Sequence, residues 1–111
     1  MNTLSTHVLD TMHGRPAAGL AVVLSGPDGE IARGSTNADG RCPGLAQGAL
    51  APGRYTLRFA VADYFRGAGV ALSDPPFLDD VAVAFGIAAD GGHYHVPLLV
   101  SPYAYSTYRG S

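Results

Sequence analysis

The chain contains no lysine, and all seven of its basic residues are arginines. Without a lysine amine it cannot form a Schiff base, and it lacks the lysine of a phosphate-binding P-loop. The arginines do not cluster along the sequence and the formal net charge is −2. Because phosphate binding needs clustered basic residues, we expect no nucleic acid among the partners of this protein.

Cysteine is nearly absent, and long apolar runs are missing. Cys42 is the single cysteine in 111 residues, so no disulfide can form within the chain. The first ten residues have neither the basic segment nor the apolar segment of a signal peptide, and no apolar stretch approaches the roughly 20 residues that span a bilayer. These absences predict a soluble, cytoplasmic protein with no membrane partner.

Apolar and turn-forming residues are abundant. The chain is 47% hydrophobic and 14% charged, with 15 glycines and 8 prolines. This composition is typical of a compact body of short elements joined by many turns. The length suits one domain, and we expect that domain to cover residues 1–111.

Apolar residues alternate with polar or small ones along most of the chain, with the period of two that a half-buried strand requires. The clearest runs are 20–26, 54–62, 81–87 and 93–100. Turn-forming residues separate the runs, at 26–30, 37–41, 51–54 and 73–76. Strands and turns at a spacing of about ten residues are typical of an all-β sandwich or barrel. One stretch, 63–69, favours a short helix with Asp63 as its N-cap.

Two of the four histidines, His93 and His95, lie two residues apart inside the apolar run 93–100. The alternation places both side chains on the face of the strand that points away from the core. The N-terminal strand carries His7 on its corresponding face, and one face of the last strand carries Ser106 and Tyr108. The sequence therefore predicts an outer sheet face that is rich in functional side chains.

This outer face is unusually apolar for a protein surface, because Leu9, Pro97 and Leu99 share it with the histidines. An apolar outer face usually meets another protein surface or a ligand. We therefore expect the chain to form oligomers through it.

Three interpretations of the histidines stay open from the residues alone. The first is that they are solvated imidazoles. The second is a metal site, since His-X-His places two rings on one side of a strand, although no third and fourth ligand follow at a recognised spacing. The third is acid/base chemistry, with an arginine that holds an oxygen as it gains negative charge. The alternation does not say which arginine lies beside His95.

Three segments resemble a known family: STHVLD at 5–10, TNADGR at 36–41, and HYHVPLLVSPYAYSTYRGS from 93 to the end. They are similar to the transthyretin-like 5-hydroxyisourate hydrolases of purine and urate degradation. The last segment is the most specific, and its terminal YRGS is typical of the hydrolase branch rather than of transthyretin, the hormone carrier. Ala104 stands where glycine is frequent in the family, a departure that touches no candidate catalytic side chain.

The resemblance implies an all-β fold, a transthyretin-like Greek-key sandwich of about eight strands with one short helix. It also implies a homotetramer built as a dimer of dimers, with the active sites in the channel between the dimers. The implied reaction is hydrolysis of 5-hydroxyisourate to 2-oxo-4-hydroxy-4-carboxy-5-ureidoimidazoline by acid/base chemistry, without metal or cofactor. The alternative is a transthyretin-type protein that binds a small ligand in the same channel without turning it over.

The family's functional residues fall by motif on named positions of this chain. The implied catalytic residues are His7, Arg41 and His95. The implied substrate-binding residues are His7, Arg41, Tyr108 and Ser111, and the further candidates are His93, Ser106 and Arg109. In this interpretation His95, with His7 nearby, activates water, while Arg41 binds and polarises the oxygens of the substrate.

Overall fold

Two β-sheets and one short helix make up the computed structural model, which describes residues 2–45 and 48–110. The elements are β1 (Thr3–Asp10), β2 (Arg15–Pro16), β3 (Ala21–Gly26), β4 (Gly29–Ser35), β5 (Gly53–Phe59), α1 (Val61–Gly67), β6 (Val81–Ile87), β7 (His93–Val100) and β8 (Tyr105–Thr107). The predicted all-β sandwich with one short helix is confirmed.

Each sheet has four strands. The first has the order β2-β1-β7-β8 and the second the order β4-β3-β5-β6. Neighbouring strands pair antiparallel, except that β1 and β7 run parallel, with Ser5 opposite His95 along an unbroken register. This pair joins the two ends of the chain, so the site on β1 and β7 is built from residues about 90 positions apart in the sequence.

The core lies between the two sheets and is built from the inward face of each strand. Val8, Leu24, Leu57, Phe59 and Leu98 are all completely buried. Burying one such side chain stabilises the fold by about 1.5–3 kcal/mol. The alternation predicted for 81–87 and 93–100 is confirmed except at Pro97, which is buried although it was predicted on the outer face, and both strands have the predicted bounds.

The helix begins two residues earlier than predicted. Strand β5 ends at Phe59, and Val61 starts α1 instead of extending the strand. Ala60 is the N-cap and no side chain caps the helix, so the prediction of Asp63 as N-cap is wrong. Val61 is fully buried in the helix, so its apolar side chain continues the alternation of β5 and the pattern did not reveal the boundary. Within the described residues no helix is long and apolar enough to cross a membrane.

Strands β4 and β2 were not predicted from the sequence. Strand β4 occupies residues 29–35, directly after the Pro-Asp turn, and none of its residues is buried. It lies at the edge of its sheet. Because neither of its faces is buried, its residues do not have to alternate between apolar and polar, and the pattern used to predict strands is missing. Strand β2 has only two residues, too few to show any period.

A buried carboxylate joins the first sheet to the helix. The side chain of Asp10, at the end of β1, is fully buried and accepts hydrogen bonds from the Tyr64 hydroxyl at 2.7 Å and the His13 backbone N–H at 2.9 Å. Its second contact with His13 is a 2.6 Å interaction with the ring Nδ1. Burial raises the pKa of Asp10, but these hydrogen bonds outweigh it and hold the pKa below the ordinary value of 3.8.

Candidate active site

The parallel pairing of β1 and β7 builds the candidate site. Ser5 lies directly opposite His95, and Thr3 lies opposite His93. Paired residues of two strands project from the same face of the sheet, so these four side chains form one row on its outer face. Ser5 and His95 are half-buried in the monomer, whereas His93 is exposed.

Hydrogen bonds connect this row from end to end. The Thr3 hydroxyl lies 2.6 Å from His93 Nδ1. The Ser5 hydroxyl lies 2.9 Å from His93 Nε2 and 2.7 Å from His95 Nδ1. Among the described residues none forms a hydrogen bond with His95 Nε2, which leaves that nitrogen available to a substrate or a water molecule.

Arg41 reaches the same face through a short bridge between the turn at 37–41 and β1. It pairs with His7 in an isolated antiparallel bridge, and Gly40 O accepts a 2.8 Å hydrogen bond from Val8 N. The Asn37 side chain holds the turn by accepting from Arg41 N at 3.0 Å. The backbone therefore brings together His7 and Arg41, two residues that the resemblance places in one site.

Gly40 makes this approach possible. Its φ is +77°, and a Cβ atom at this position would lie 2.4 Å from Val8 O. A side chain is therefore excluded both by backbone conformation and by space. The ion pairs within the described residues do not include Arg41, so its guanidinium is not engaged by the neighbouring Asp39.

Burial and the neighbouring positive charges favour the neutral form of His95. Burial lowers the pKa of His95 below its ordinary value of 6.5, and the positive charges of Arg41, His7 and His93 lower it further. A neutral imidazole is the form that can accept a proton. His95 therefore lies close enough to Arg41 to be affected by its charge, and the resemblance implies that both residues belong to one site.

The C-terminal segment closes against His95. Gly110 N donates a 2.7 Å hydrogen bond to His95 O, and the two residues form an isolated bridge. A Cβ at Gly110 would lie only 2.6 Å from His95 Cδ2, so the backbone itself contacts the imidazole ring. Ser111, which the sequence predicts to bind substrate, lies outside the described residues.

Arg109 holds this segment in place and does not face the histidine row. Its guanidinium donates to Gly91 O at 2.6 Å and to His93 O at 3.2 Å. It also lies 3.9 Å from the centre of the Tyr94 ring, a cation–π contact. The structure thus gives this candidate site residue a role in anchoring the C-terminus.

Two other candidates lie away from the histidines within one protomer. Ser106 pairs with Leu99 and is exposed on the outer face. Strand β8 ends at Thr107, so the predicted alternation does not extend to Tyr108. Tyr108 is 60% exposed and lines a groove that includes Phe85 of β6, a position that differs from the predicted one beside Ser106.

The contacts of Ser5 and Thr3 with the histidines were not predicted from the sequence. The alternation placed Ser5 on the same face as His7, but gave no reason to connect it with β7. That connection depends on parallel pairing across about 90 residues, which no local pattern encodes. Within the described residues no group of three or more His, Cys, Asp or Glu side chains is arranged to hold a metal ion.

Comparison with known proteins agrees with this geometry. A family model described as HIUase/Transthyretin family matches residues 4–110. The 5-hydroxyisourate hydrolase of Caulobacter vibrioides is 51% identical over 115 aligned positions, which cover both chains completely. This chain belongs to the HIUase/Transthyretin family, as the resemblance in its motifs predicted.

Solved structures extend the similarity to both branches of the family. The structure of Klebsiella pneumoniae 5-hydroxyisourate hydrolase has a TM-score of 0.88 at 38% identity and full coverage of both chains. Sea bream transthyretin in complex with thyroxine has a TM-score of 0.85 at 31% identity, covering 96% of this chain and 93% of that one. The fold is therefore shared, and the two branches must be distinguished by their sites.

Proposed function

We propose that this protein hydrolyses 5-hydroxyisourate, opening its ring to 2-oxo-4-hydroxy-4-carboxy-5-ureidoimidazoline in urate degradation. Relatives that match it over their full length are 5-hydroxyisourate hydrolases, and this chain is an enzyme of the same kind. One observation carries the proposal: burial and the charges of Arg41 and His7 lower the pKa of His95, whose Nδ1 contacts Ser5 and whose Nε2 has no hydrogen bond among the described residues. A carrier of an apolar ligand has no need of this set.

In the proposed reaction His95 is the general base. Its Nε2 takes a proton from a water molecule whose oxygen attacks the ring carbonyl carbon of the substrate. The C–N bond of the ring then breaks, and the proton passes to the leaving nitrogen. A positioned base of this kind contributes about 100-fold to 10,000-fold in rate.

Arg41 supplies the positive charge for this step. The planar guanidinium presents a fork of donors that suits a carbonyl or ureide oxygen, and it stabilises that oxygen as negative charge develops. His7 is bridged to Arg41 through the backbone and acts in the proposal as a second group that binds the substrate. The side chains of His95 and Arg41 thus supply the base and the positive charge, and the proposed reaction needs neither metal nor cofactor.

The remaining substrate contacts stay predictions. Tyr108 and Ser111 belong to the C-terminal segment whose Gly110 contacts the His95 ring, which supports a role for this segment in closing the site. Tyr108 lies in a separate groove within one protomer. Its predicted contact with substrate therefore requires either a shift of this segment or a neighbouring copy of the chain.

We further propose that the protein acts as a homotetramer. The outer face that carries the site includes Leu9 and Leu99, both still partly accessible in the single chain. A second copy would cover these apolar side chains and enclose His95. Light scattering at micromolar concentration should give four times the mass of one chain, and a monomer would contradict the proposal.

A cytoplasmic location is also proposed. Its support is that the fold needs no disulfide, since Cys42 is the single cysteine, so reducing conditions do not threaten it. Cell fractionation of the source organism, with detection by antibody, would test the location.

The function itself is tested with substrate generated in place. Urate oxidase converts urate to 5-hydroxyisourate, and the decay of its ultraviolet absorbance is followed with and without this protein. We expect decay well above the buffer rate, unchanged by a chelator. Decay no faster than in buffer, from correctly folded protein, would contradict the proposal and favour the transthyretin-type binding protein.

A further inference from the structure

Ser5 occupies an unusual position between two imidazoles. Its hydroxyl lies within hydrogen-bond distance of His93 Nε2 and of His95 Nδ1. A hydroxyl has one proton to donate. Ser5 can therefore donate to only one ring, so at least one of the two facing ring nitrogens must carry a hydrogen, which couples the tautomers of His93 and His95.

The same counting extends to Thr3. A neutral imidazole has one N–H donor and one bare acceptor nitrogen, and both nitrogens of His93 lie against hydroxyls. The row therefore has two arrangements in which all of its hydrogens point the same way along it. When every proton points away from His95 Nε2, His95 carries hydrogen on Nδ1 and Nε2 is a base. In the reverse direction His95 carries hydrogen on Nε2 and is an acid.

The surroundings of the two rings differ in a way that gives the row a direction. His95 is half-buried and faces Arg41 and His7, with the backbone of Gly110 against its ring. A positive charge on His95 is therefore opposed both by burial and by like charge. His93 lies at the exposed end of the row, where water can solvate a positive charge, and Thr3 is available to accept its Nδ1–H.

We propose that Ser5 and His93 are positioning residues that relay a proton from His95 during hydrolysis of the substrate. When His95 Nε2 takes a proton from water, the Nδ1 proton moves to the Ser5 oxygen and the Ser5 proton moves to His93 Nε2. The positive charge then resides on His93, while His95 is neutral and carries hydrogen on Nε2. Donation of that hydrogen to the leaving nitrogen reverses both transfers and restores the starting state.

This inference rests on the proposed function. It gives Ser5 and His93 a role in proton transfer beside the proposed base, His95. In the relay Ser5 also fixes the starting tautomer of His95, because its hydroxyl accepts from Nδ1–H only when Nε2 is bare. Which nitrogen of a functional histidine carries the proton is commonly set in this way by the hydrogen-bond partner of the other nitrogen.

Four variants test the relay. Ser5→Ala removes the link and should lower kcat by about 10- to 100-fold with little change in KM. Ser5→Thr keeps the hydroxyl and should restore most of the rate. His93→Gln can hydrogen-bond to Ser5 but cannot carry a proton, so it should lower kcat to the same extent as Ser5→Ala. The double variant Ser5→Ala/His93→Gln should be no slower than either single variant, because one pathway is removed only once.

Ser73→Ala is the matched control. Ser73 lies in the exposed loop before β6 and bonds only locally, to Pro75 O at 3.0 Å. The same exchange of serine for alanine there should leave kcat and the pH profile unchanged. Thermal unfolding of each variant separates loss of fold from loss of proton transfer.

Imidazole nitrogen NMR provides a readout that needs no substrate. In the wild type we expect His95 to carry hydrogen on Nδ1 with Nε2 bare, and in Ser5→Ala we expect a mixture of tautomers. A wild-type His95 protonated on Nε2, or a Ser5→Ala variant with wild-type kcat and an unchanged tautomer, would overturn the inference. If the wild type fails to hydrolyse 5-hydroxyisourate, the proposed function fails, but the NMR spectrum still decides whether Ser5 controls the tautomer.

Discussion

Replacing Gly110 with alanine tests whether the C-terminal segment positions the catalytic imidazole. The added Cβ would lie 2.6 Å from His95 Cδ2 and 3.2 Å from His95 Cγ. Ordinary contact between carbon atoms requires about 3.5–4.0 Å, so the ring or the segment must move by about 1 Å. The backbone of Gly110 does not have a positive φ, which means that the conflict comes from space and not from conformation.

We expect Gly110→Ala to lower kcat/KM by about 100-fold, since a displacement of about 1 Å at a reacting group can cost that much. The fold should survive, because Gly110 lies after the last strand. The assay is the decay of 5-hydroxyisourate absorbance, with thermal unfolding measured on the same samples. Gly44→Ala is the control, since a Cβ there meets nothing within 4 Å. Wild-type activity in Gly110→Ala would refute the claim that this backbone contact positions His95.

The remaining predictions concern pH. The rate should persist below pH 6.5, the ordinary pKa of histidine, and fall as the pH drops through the lowered pKa of His95. Arg41→Gln removes a charge that lowers this pKa and should move the acid limb of the kcat/KM profile to higher pH. An acid limb that does not move would contradict the effect of Arg41 on the pKa of His95. Asp10→Asn should lower the free energy of unfolding by about 1–3 kcal/mol at neutral pH, because a buried acceptor is lost. The folded pKa of Asp10 is depressed below 3.8, so its contribution is present above that pH and is lost as the pH falls through the folded value. The difference in the free energy of unfolding between wild type and Asp10→Asn, measured by denaturant unfolding, should therefore shrink in acid. A difference that does not change with pH would contradict this role of the Asp10 carboxylate.

Local patterns predicted the strands that have one buried face. Residues 81–87 and 93–100 alternate because one side packs in the core, and both strands have the predicted bounds. Strand β4 has no buried residue and left no such signal. The start of α1 at Val61 was hidden because Val61, fully buried in the helix, continues the alternation of β5.

The sequence pointed to His7, Arg41 and His95, but not to the contacts of Thr3 and Ser5 with the histidines. The alternation placed His7 and His95 on outer faces, and the resemblance added Arg41. The hydroxyl of Ser5 between two imidazoles follows from the parallel register of β1 and β7, which unites the two ends of the chain. Tyr108 was misplaced because β8 ends before it, and a period of two has no meaning beyond the end of a strand.

The role of His95 is best tested by the turnover of 5-hydroxyisourate by His95→Ala beside the wild type. If His95 is the general base, turnover should fall by about 100-fold to 10,000-fold. His13→Ala is the control, because His13 contacts Asp10 and not the site, and it should keep its turnover even where its stability is reduced. A folded His95→Ala variant that hydrolyses 5-hydroxyisourate at the wild-type rate would contradict the assignment of His95 as the general base.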